Sequence, residues 1–128
     1  MAKETILIAD DDRVTLQVLG TYLRGRGYQI IPAADSMQAV MYSMKTPLTA
    51  IFLDINMPGG TGLDVLKKLK TSMKTSNVPV IVITGSDDPD LPRKVRELGA
   101  DEFLPEPVDL PKVNEVLKRL LGEPHAGG

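Results

Sequence analysis

The sequence predicts an α/β domain in which helices cover both faces of a parallel sheet. Five short apolar runs alternate with five longer segments of helical period. The runs are rich in Ile, Val and Phe, and most are continuous rather than alternating, as is typical of strands covered on both sides. Strict alternation of strand and helix favours a parallel sheet, and right-handed crossovers leave few topologies for it.

The strands and helices are predicted in the order in which the runs and segments occur. The strands cover residues 5–9, 28–32, 49–53, 79–84 and 101–104. The helices cover residues 13–27, 35–45, 62–74, 90–99 and 110–122. Side chains that can accept from the free N–H groups of a first helical turn are Asp12, Asp35 or Ser36, and Asp88. Gly27 and Gly99 are predicted to end the first and fourth helices.

Apolar residues at helical spacing are predicted to pack against the sheet. In the first helix Val14, Val18 and Tyr22 recur every four residues beside Leu19 and Leu23, and together they form one stripe. The stripe of the third helix consists of Leu63, Leu66, Leu69 and Met73. The methionines of the second helix are also interpreted as packing residues: Met37, Met41 and Met44. Four lysines are interpreted as a solvated helix face: Lys67, Lys68, Lys70 and Lys74.

Length and composition limit the classes of protein and site. With 128 residues the chain is expected to form one domain over residues 1–121, followed by a flexible tail at 122–128. A net charge of −2 argues against nucleic acid or an anionic membrane as partner. Cysteine is absent and the single histidine, His125, lies in the tail, so thiolate and imidazole sites are not expected. The acidic N-terminus does not fit a secretory signal, and no apolar run could span a bilayer, so a cytoplasmic location is expected.

Polar residues that could bind a ligand or take part in a reaction follow the predicted strands. They are Asp10, Asp11 and Asp12 after the first strand, Asp54 at the third, Thr84 at the fourth and Glu106 after the fifth. The carboxyl ends of parallel strands share one edge of a sheet, where ligands of such folds bind. Crowded carboxylates favour a bridging cation, and oxygen ligands without imidazole or thiolate suit Mg²⁺. The sequence therefore predicts a magnesium site at this edge.

Asp54 is the candidate nucleophile at this edge. It ends a buried central strand, and a carboxylate beside a divalent cation can attack phosphorus to form an aspartyl phosphate. The loop that follows, "INMPGGTG", contains Gly59, Gly60 and Gly62, which permit backbone turns that other residues resist.

The segments "ILIADDD", "IFLDINMPGGTGLDVL", "VPVIVITG" and "GADEFLPEPVD" resemble the receiver domain of two-component response regulators. The resemblance covers roughly residues 4–121 and rests on several motifs in the same order. It implies a flavodoxin-like, doubly wound (βα)5 fold with a five-stranded parallel sheet in the order 2-1-3-4-5. It also implies a signalling phosphoprotein rather than an enzyme, with at most self-phosphorylation and self-dephosphorylation.

The resemblance assigns roles to individual residues. Asp54 matches the phosphoacceptor, and Asp10 and Asp11 match the acidic pair that holds Mg²⁺. Asn56 matches the position that offers its backbone carbonyl to the metal. The remaining matches are Thr84 as the switch hydroxyl, Phe103 as the aromatic switch, Gly85 as a small residue that keeps the site accessible, and Pro107 as the residue after a cis peptide bond.

Glu106 departs from the family pattern, because the family has a lysine there that pairs with the phosphoacceptor. The charge at this position is therefore reversed. Three hypotheses follow: a working receiver in which Mg²⁺ or another basic side chain replaces the lost charge, a pseudo-receiver that binds proteins without being switched by phosphate, and a metal-dependent phosphohydrolase. The third is disfavoured because no general acid stands beside Asp54 and no cap domain encloses a substrate.

The resemblance also indicates the partners. A sensor histidine kinase or a phosphotransfer protein would supply the phosphoryl group. A downstream protein would bind the face formed by the fourth helix, the fifth strand and the fifth helix. The chain is expected to be a monomer or a weak dimer.

Overall fold

The computed structural model describes residues 4–57, 59 and 61–122. Gly60, His125 and the predicted tail beyond residue 122 lie outside this part of the chain. The strands are β1 (Thr5–Ala9), β2 (Gln29–Ala33), β3 (Ala50–Asp54), β4 (Val80–Thr84) and β5 (Glu102–Pro105). The helices are α1 (Arg13–Gly25), α2 (Ser36–Lys45), α3 (Gly62–Thr71), α4 (Leu91–Glu97) and α5 (Leu110–Leu121). All ten predicted elements are present.

The five strands form one parallel sheet in the order β2-β1-β3-β4-β5. This confirms the predicted fold class and strand order. Ala9 pairs with Leu53, Asp54 with Ile83 and Thr84 with Pro105, so the carboxyl ends of four strands lie level with one another. The register therefore gathers the residues at and just after these ends on one edge.

The core consists of two layers, one on each face of the sheet. Strands β1, β3 and β4 are buried along their whole length, and their successive side chains point to opposite faces. Leu7, Ile51 and Val82 pack with α2, α3 and α4, whereas Ile8 and Phe52 pack with α1 and α5. Burial on both faces explains why these strands read as continuous apolar runs.

Helix boundaries confirm most of the predicted caps. Asp12 Oδ1 accepts from the Val14 N–H (3.0 Å), and Asp35 Oδ1 accepts from the Gln38 N–H (2.8 Å). Gly27 and Gly99 follow α1 and α4 at φ values of 98° and 103°, which favour glycine.

The predicted cap of the fourth helix was wrong. Asp88 Oδ1 accepts from the Asp90 N–H (2.9 Å), so it closes a turn before the helix. The helix itself begins at Leu91, after Asp90.

The stripe predicted for α1 was too wide. Leu19 and Leu23 are buried, but Val14 and Val18 are exposed. At about 100° per residue, the predicted stripe spans about 180° of the helix circumference, with the two valines at one end of this arc and the two leucines at the other. The first two valines therefore rotate away from the sheet, while the leucines remain on it.

Several methionines are also more exposed than predicted. Met37 is 76% exposed and Met41 is also exposed, because α2 packs on the sheet through the small residues Ala39 and Ser43. Met73 is 96% exposed because α3 ends at Thr71, two residues earlier. These three methionines belong to the surface rather than to the core.

Lys70 is not part of a solvated face, which corrects the interpretation of the lysines. Its side chain is only 12% exposed, and Nζ lies 2.9 Å from Asp101 Oδ2 and donates to the Val78 carbonyl (2.8 Å). Asp101 Oδ2 also accepts from the Val80 N–H (2.8 Å). Lys70 thus joins α3 to the amino ends of β4 and β5. No helix in the described ranges is long and apolar enough to span a membrane.

Candidate functional site

The candidate site lies at the carboxyl edge of the sheet. Asp54 and Thr84 are the last residues of β3 and β4, Asp10 directly follows β1, and Glu106 directly follows β5. Because the strand ends are level, the fold brings together the side chains that the sequence singled out at four separate positions.

Three carboxylates form the centre of the site. Asp10, Asp11 and Asp54 each offer an oxygen within 4.8 Å of the other two. Asp10 and Asp54 are buried, and Asp11 is exposed. Asp10 Oδ1 accepts from the Asp12 N–H (2.9 Å), but Asp10 Oδ2 is buried and has no hydrogen-bond partner among the described residues. A buried acceptor without a donor is costly, so a proton or a cation would stabilise this arrangement.

Burial and mutual repulsion perturb the pKa values of the carboxyl groups. Burial raises the pKa of Asp10 to about 7; the charges of Asp54 and Glu106 add to the rise, and the Asp12 N–H opposes it. Burial also raises the pKa of Asp54, as does the charge of Asp11, against the stabilising N–H of Asn56. Without a cation the cluster therefore retains a proton at a pH where isolated carboxyl groups are fully ionised.

We expect Asp10→Asn to stabilise the metal-free domain at high pH. The Asp10 carboxyl has an ordinary pKa of 3.8 and a folded-state pKa of about 7. At a pH between these two pKa values, the folded state holds a proton that the unfolded chain has lost. The stabilisation of the folded state by this proton is fully present below pH 3.8 and is lost as the pH rises to about 7. In EDTA at pH 8, the variant should raise the free energy of unfolding by at least about 1 kcal/mol.

Urea unfolding at pH 4, 6 and 8 measures this effect. At pH 4 the variant and the wild type should differ by less than about 0.5 kcal/mol. Asp87→Asn is the matched control, because Asp87 is exposed and forms no hydrogen bond or ion pair with described residues. A gain that is the same at pH 4 and pH 8 would show that titration of Asp10 is not its cause.

Asn56 links the acidic centre to Thr84. The Asn56 backbone N–H donates to Asp54 Oδ1 (3.0 Å), and its side-chain amide donates to Thr84 Oγ1 (3.3 Å). Thr84 is fully buried, and its Oγ1 also accepts from the Ser86 N–H (3.1 Å). The bond between Asn56 and Thr84 was not predicted, because the two residues are 28 positions apart in the sequence.

Two glycines shape the space around Asp54. A Cβ atom at Gly85 would meet no atom within 4 Å, so the surface beside Thr84 is open. A Cβ atom at Gly62 would lie 2.4 Å from Ile55 Cα, because the Gly62 N–H donates to the Ile55 carbonyl (3.0 Å) and draws the loop closed. The site is therefore open at Gly85 after β4, whereas the loop after Asp54 leaves no space for a side chain at Gly62.

Glu106 borders the acidic centre and is half-buried. Its backbone N–H donates to the Thr84 carbonyl (2.9 Å), and the peptide bond to Pro107 is cis. Burial raises the pKa of Glu106, and the negative charge of Asp54 raises it further. Across the described chain, no lysine or arginine forms an ion pair with Glu106 or with the three clustered aspartates.

Thr15 is a neighbour of Glu106 that the sequence did not indicate. Its hydroxyl lies 3.0 Å from Asp12 Oδ2 and 3.4 Å from Glu106 Oε2. One hydroxyl proton serves only one of these acceptors at a time, so Thr15 does not neutralise the site. Its position in the first turn of α1 gave no signal of contact with a residue 91 positions away.

Phe103 lies on β5 beside the site. It pairs with Val82 and packs, half-buried, against the core layer on the side of α3 and α4. Its role as an aromatic switch remains a prediction.

The donor set of the site fits a hard divalent cation. It consists of carboxylate oxygens, one of which is buried and unpartnered, and it includes no sulfur or imidazole. A carboxylate beside such a cation, positioned by a backbone donor, can also act as a nucleophile toward phosphorus.

Comparisons with known proteins identify one family. A family model described as "Response regulator receiver domain" matches residues 6–118. The sporulation initiation phosphotransferase F of Bacillus subtilis is 31% identical over 121 residues, covering 94% of this chain and 96% of that protein. A cyclic di-GMP phosphodiesterase of Thermotoga maritima is 35% identical over 106 residues; the match covers 83% of this chain but only 28% of that protein.

Solved structures show the same architecture. The chemotaxis response regulator CheY4 of Vibrio cholerae has a TM-score of 0.86 at 25% identity, covering 94% of this chain and 100% of that one. The receiver domain of the sensor histidine kinase PA1611 of Pseudomonas aeruginosa, solved with magnesium coordinated in its active-site cleft, has a TM-score of 0.85 at 25% identity, covering 95% and 100%. The chain therefore belongs to the response regulator receiver domain family.

Proposed function

We propose that this receiver domain accepts a phosphoryl group on Asp54 from a sensor histidine kinase or a phosphotransfer protein and signals through a protein partner. The observation that carries the proposal is the placement of Asp54. It ends central strand β3, is buried, accepts from the Asn56 N–H and lies among the carboxylates of Asp10 and Asp11. Aspartate phosphorylation and Mg²⁺ binding are general properties of receiver domains.

In the proposed step an Asp54 oxygen forms a bond to phosphorus as the bond between phosphorus and the donor imidazole nitrogen breaks. The electron pair of the broken bond remains on that nitrogen. The Asn56 N–H holds the carboxylate in position, and the open surface at Gly85 leaves room for the incoming group. Thr84 accepts two hydrogen bonds, which leaves its own proton for a phosphoryl oxygen.

Asp10, Asp11, Asp54 and the Asn56 backbone carbonyl are proposed to hold Mg²⁺. When bound, the ion neutralises negative charge on the carboxylates and on the phosphoryl oxygens. The unpartnered Asp10 Oδ2 supports this proposal, because a cation would satisfy it. We further propose that Phe103 rotates when Thr84 moves, and that the face of α4, β5 and α5 of the domain over residues 1–121 binds the downstream partner.

A pseudo-receiver that binds proteins without being switched by phosphate is the second candidate. It is favoured by Glu106, which places a carboxylate beside Asp54 with no basic residue of the described chain paired to either. A phosphohydrolase finds no support, since receiver domains are signalling domains. The phosphodiesterase name belongs to a relative of which this chain spans 28%.

Acetyl phosphate with Mg²⁺ is expected to add one phosphoryl group to the domain. Intact-protein mass spectrometry should show the adduct in the wild type at low yield, and should show none with EDTA or in Asp54→Asn. Asp64→Asn is the matched control, because Asp64 is an exposed aspartate on α3 outside the cluster and its variant should react like the wild type.

Isothermal titration with Mg²⁺ separates the two parts of this proposal. Binding should weaken at least about tenfold in Asp54→Asn, which loses a charged ligand. If Mg²⁺ binds normally but no adduct forms, the pseudo-receiver is supported. An adduct that persists in Asp54→Asn would contradict the assignment of the phosphoacceptor.

A further inference from the structure

A groove of about 600 Å³ runs between α2 and α3, away from the acidic site. Met37 and Met41 form one wall, and Val40 and Val65 contribute further apolar lining. Thr61, Asp64 and Lys68 belong to the opposite wall. An apolar groove of this size between two helices is typical of a binding surface.

The methionines of α2 extend the apolar surface along the groove. Met37, Met41 and Met44 stand at i, i+4 and i+7 and therefore lie on one side of the helix. The first two are exposed, although contact of an apolar side chain with water is unfavourable. Methionine is flexible and polarizable, so a row of three suits a surface that adapts to an apolar ligand.

Lysines outnumber acidic residues along this surface. A second concavity of about 270 Å³ is lined by Met44 and Lys45 at the carboxyl end of α2 and by Lys74, whereas Lys68 and the acidic Asp64 line the main groove. None of these three lysines forms an ion pair with a described residue. The chain as a whole has a net charge of −2, so three lysines against one lining aspartate, Asp64, are a local excess of positive charge.

We propose that the groove between α2 and α3 binds an amphipathic helix of a partner protein, with apolar residues against the methionines and acidic residues against the three lysines. A helix that buries an i, i+3, i+4, i+7 stripe in an apolar groove is a recurring mode of recognition. The unpaired lysines at one end complement acidic residues at one end of the ligand, which would fix its direction.

Other occupants fit the surface less well. A second copy of the chain would meet this face through the same face and would bring two lysine clusters together. A membrane surface is flat, whereas the methionines line a concave groove.

The groove adjoins the loop that follows Asp54. A Cβ atom at Gly59 would lie 3.7 Å from the Ser36 backbone N and 3.9 Å from Asp35 Cβ, so this loop rests on the amino end of α2. The groove is separate from the face of α4, β5 and α5, and its use does not depend on phosphorylation of Asp54. It would therefore provide a second contact for a partner.

The test uses a synthetic amphipathic peptide with leucine at i, i+3, i+4 and i+7 and glutamate at one end. Fluorescence anisotropy gives its affinity, and amide chemical shifts map its position. We expect saturable binding with shifts confined to α2, α3 and the loop at Gly59. Met37→Glu should weaken binding at least about tenfold, and so should glutamine in place of the peptide's glutamates.

Val18→Glu is the matched control, since it also replaces an exposed apolar side chain by glutamate, but on α1, where the residue does not line the groove or adjoin the three lysines. Its peptide affinity should equal that of the wild type. Asp54→Asn should also bind the peptide normally, which separates this proposal from the phosphoacceptor assignment. Absence of saturable binding, equal losses in Met37→Glu and Val18→Glu, or capture by phosphatidylserine vesicles instead of the peptide would overturn the proposal.

Discussion

Glu106→Lys should raise the rate at which acetyl phosphate modifies Asp54 by at least about tenfold, which corresponds to about 1.4 kcal/mol. Two unit charges about 4 Å apart interact by about 4 kcal/mol at an effective dielectric constant near 20. The substitution replaces a repulsion of the incoming phosphoryl group with an attraction. Solvent and side-chain motion reduce the effect, because Glu106 is only half-buried. A tenfold gain is therefore a lower bound.

The measurement follows the amount of covalent adduct over time in the presence of Mg²⁺. Binding of beryllofluoride is a second measure of how the charge at residue 106 affects the site. Glu115→Lys is the matched control, because it makes the same charge change at an exposed residue of α5. If the wild type reacts as readily as the Glu106→Lys variant, the charge of Glu106 does not limit phosphorylation and the domain is an ordinary receiver. If Glu106→Lys gains activity from a wild type that has almost none, the natural chain is a pseudo-receiver.

Gly62→Ala is expected to destabilise the domain by about 3 kcal/mol, as overpacking against immobile backbone does. The added methyl carbon would lie 2.4 Å from Ile55 Cα and 2.5 Å from the Ile55 carbonyl oxygen. Neither atom can move without breaking the hydrogen bond between Gly62 and Ile55. Ile55 is adjacent to Asp54 and Asn56, so the same displacement should weaken Mg²⁺ binding.

Thermal and urea unfolding measure this loss, with a fall in Tm of roughly 10 °C expected for a domain of this size. Gly25→Ala is the matched control, because Gly25 is also helical and a Cβ there would meet no atom within 4 Å. That variant should be neutral or more stable by up to about 1 kcal/mol. Equal stability of the two variants would show that the closure of the loop at Gly62 is not tight.

Sequence reasoning predicted the fold well because the buried strands leave a strong pattern. Continuous runs such as residues 5–9 and 79–84 indicated strands covered on both faces, and the bounds differ from those of the structure by at most one residue. Parallel strand ends share an edge, so the meeting of Asp10, Asp54 and Thr84 also followed from their positions. The strand order did not follow from periodicity and depended on the family resemblance.

The errors arose where tertiary contacts override local pattern. Val14 and Val18 fit an apolar stripe but rotate away from the sheet. Lys70 fits a solvated face, yet its partner Asp101 is 31 residues later in the chain. The contact between Thr15 and Glu106 spans an even longer interval. A single sequence carries no signal for such pairs, because each residue alone is ordinary in its helix or loop.

The pairing of Lys70 with Asp101 sets the two ends of the sheet apart. At the amino ends of the strands, the nearly buried Lys70 ammonium contacts the Asp101 carboxylate and two carbonyl oxygens. Its positive charge is therefore balanced by residues of the same chain. At the carboxyl ends, four acidic side chains meet without one matching cation from the described residues. Charges are thus balanced at the amino ends of the strands, whereas the carboxyl ends lack positive charge. A cation bound from solution would balance the negative charge at the carboxyl ends of the strands.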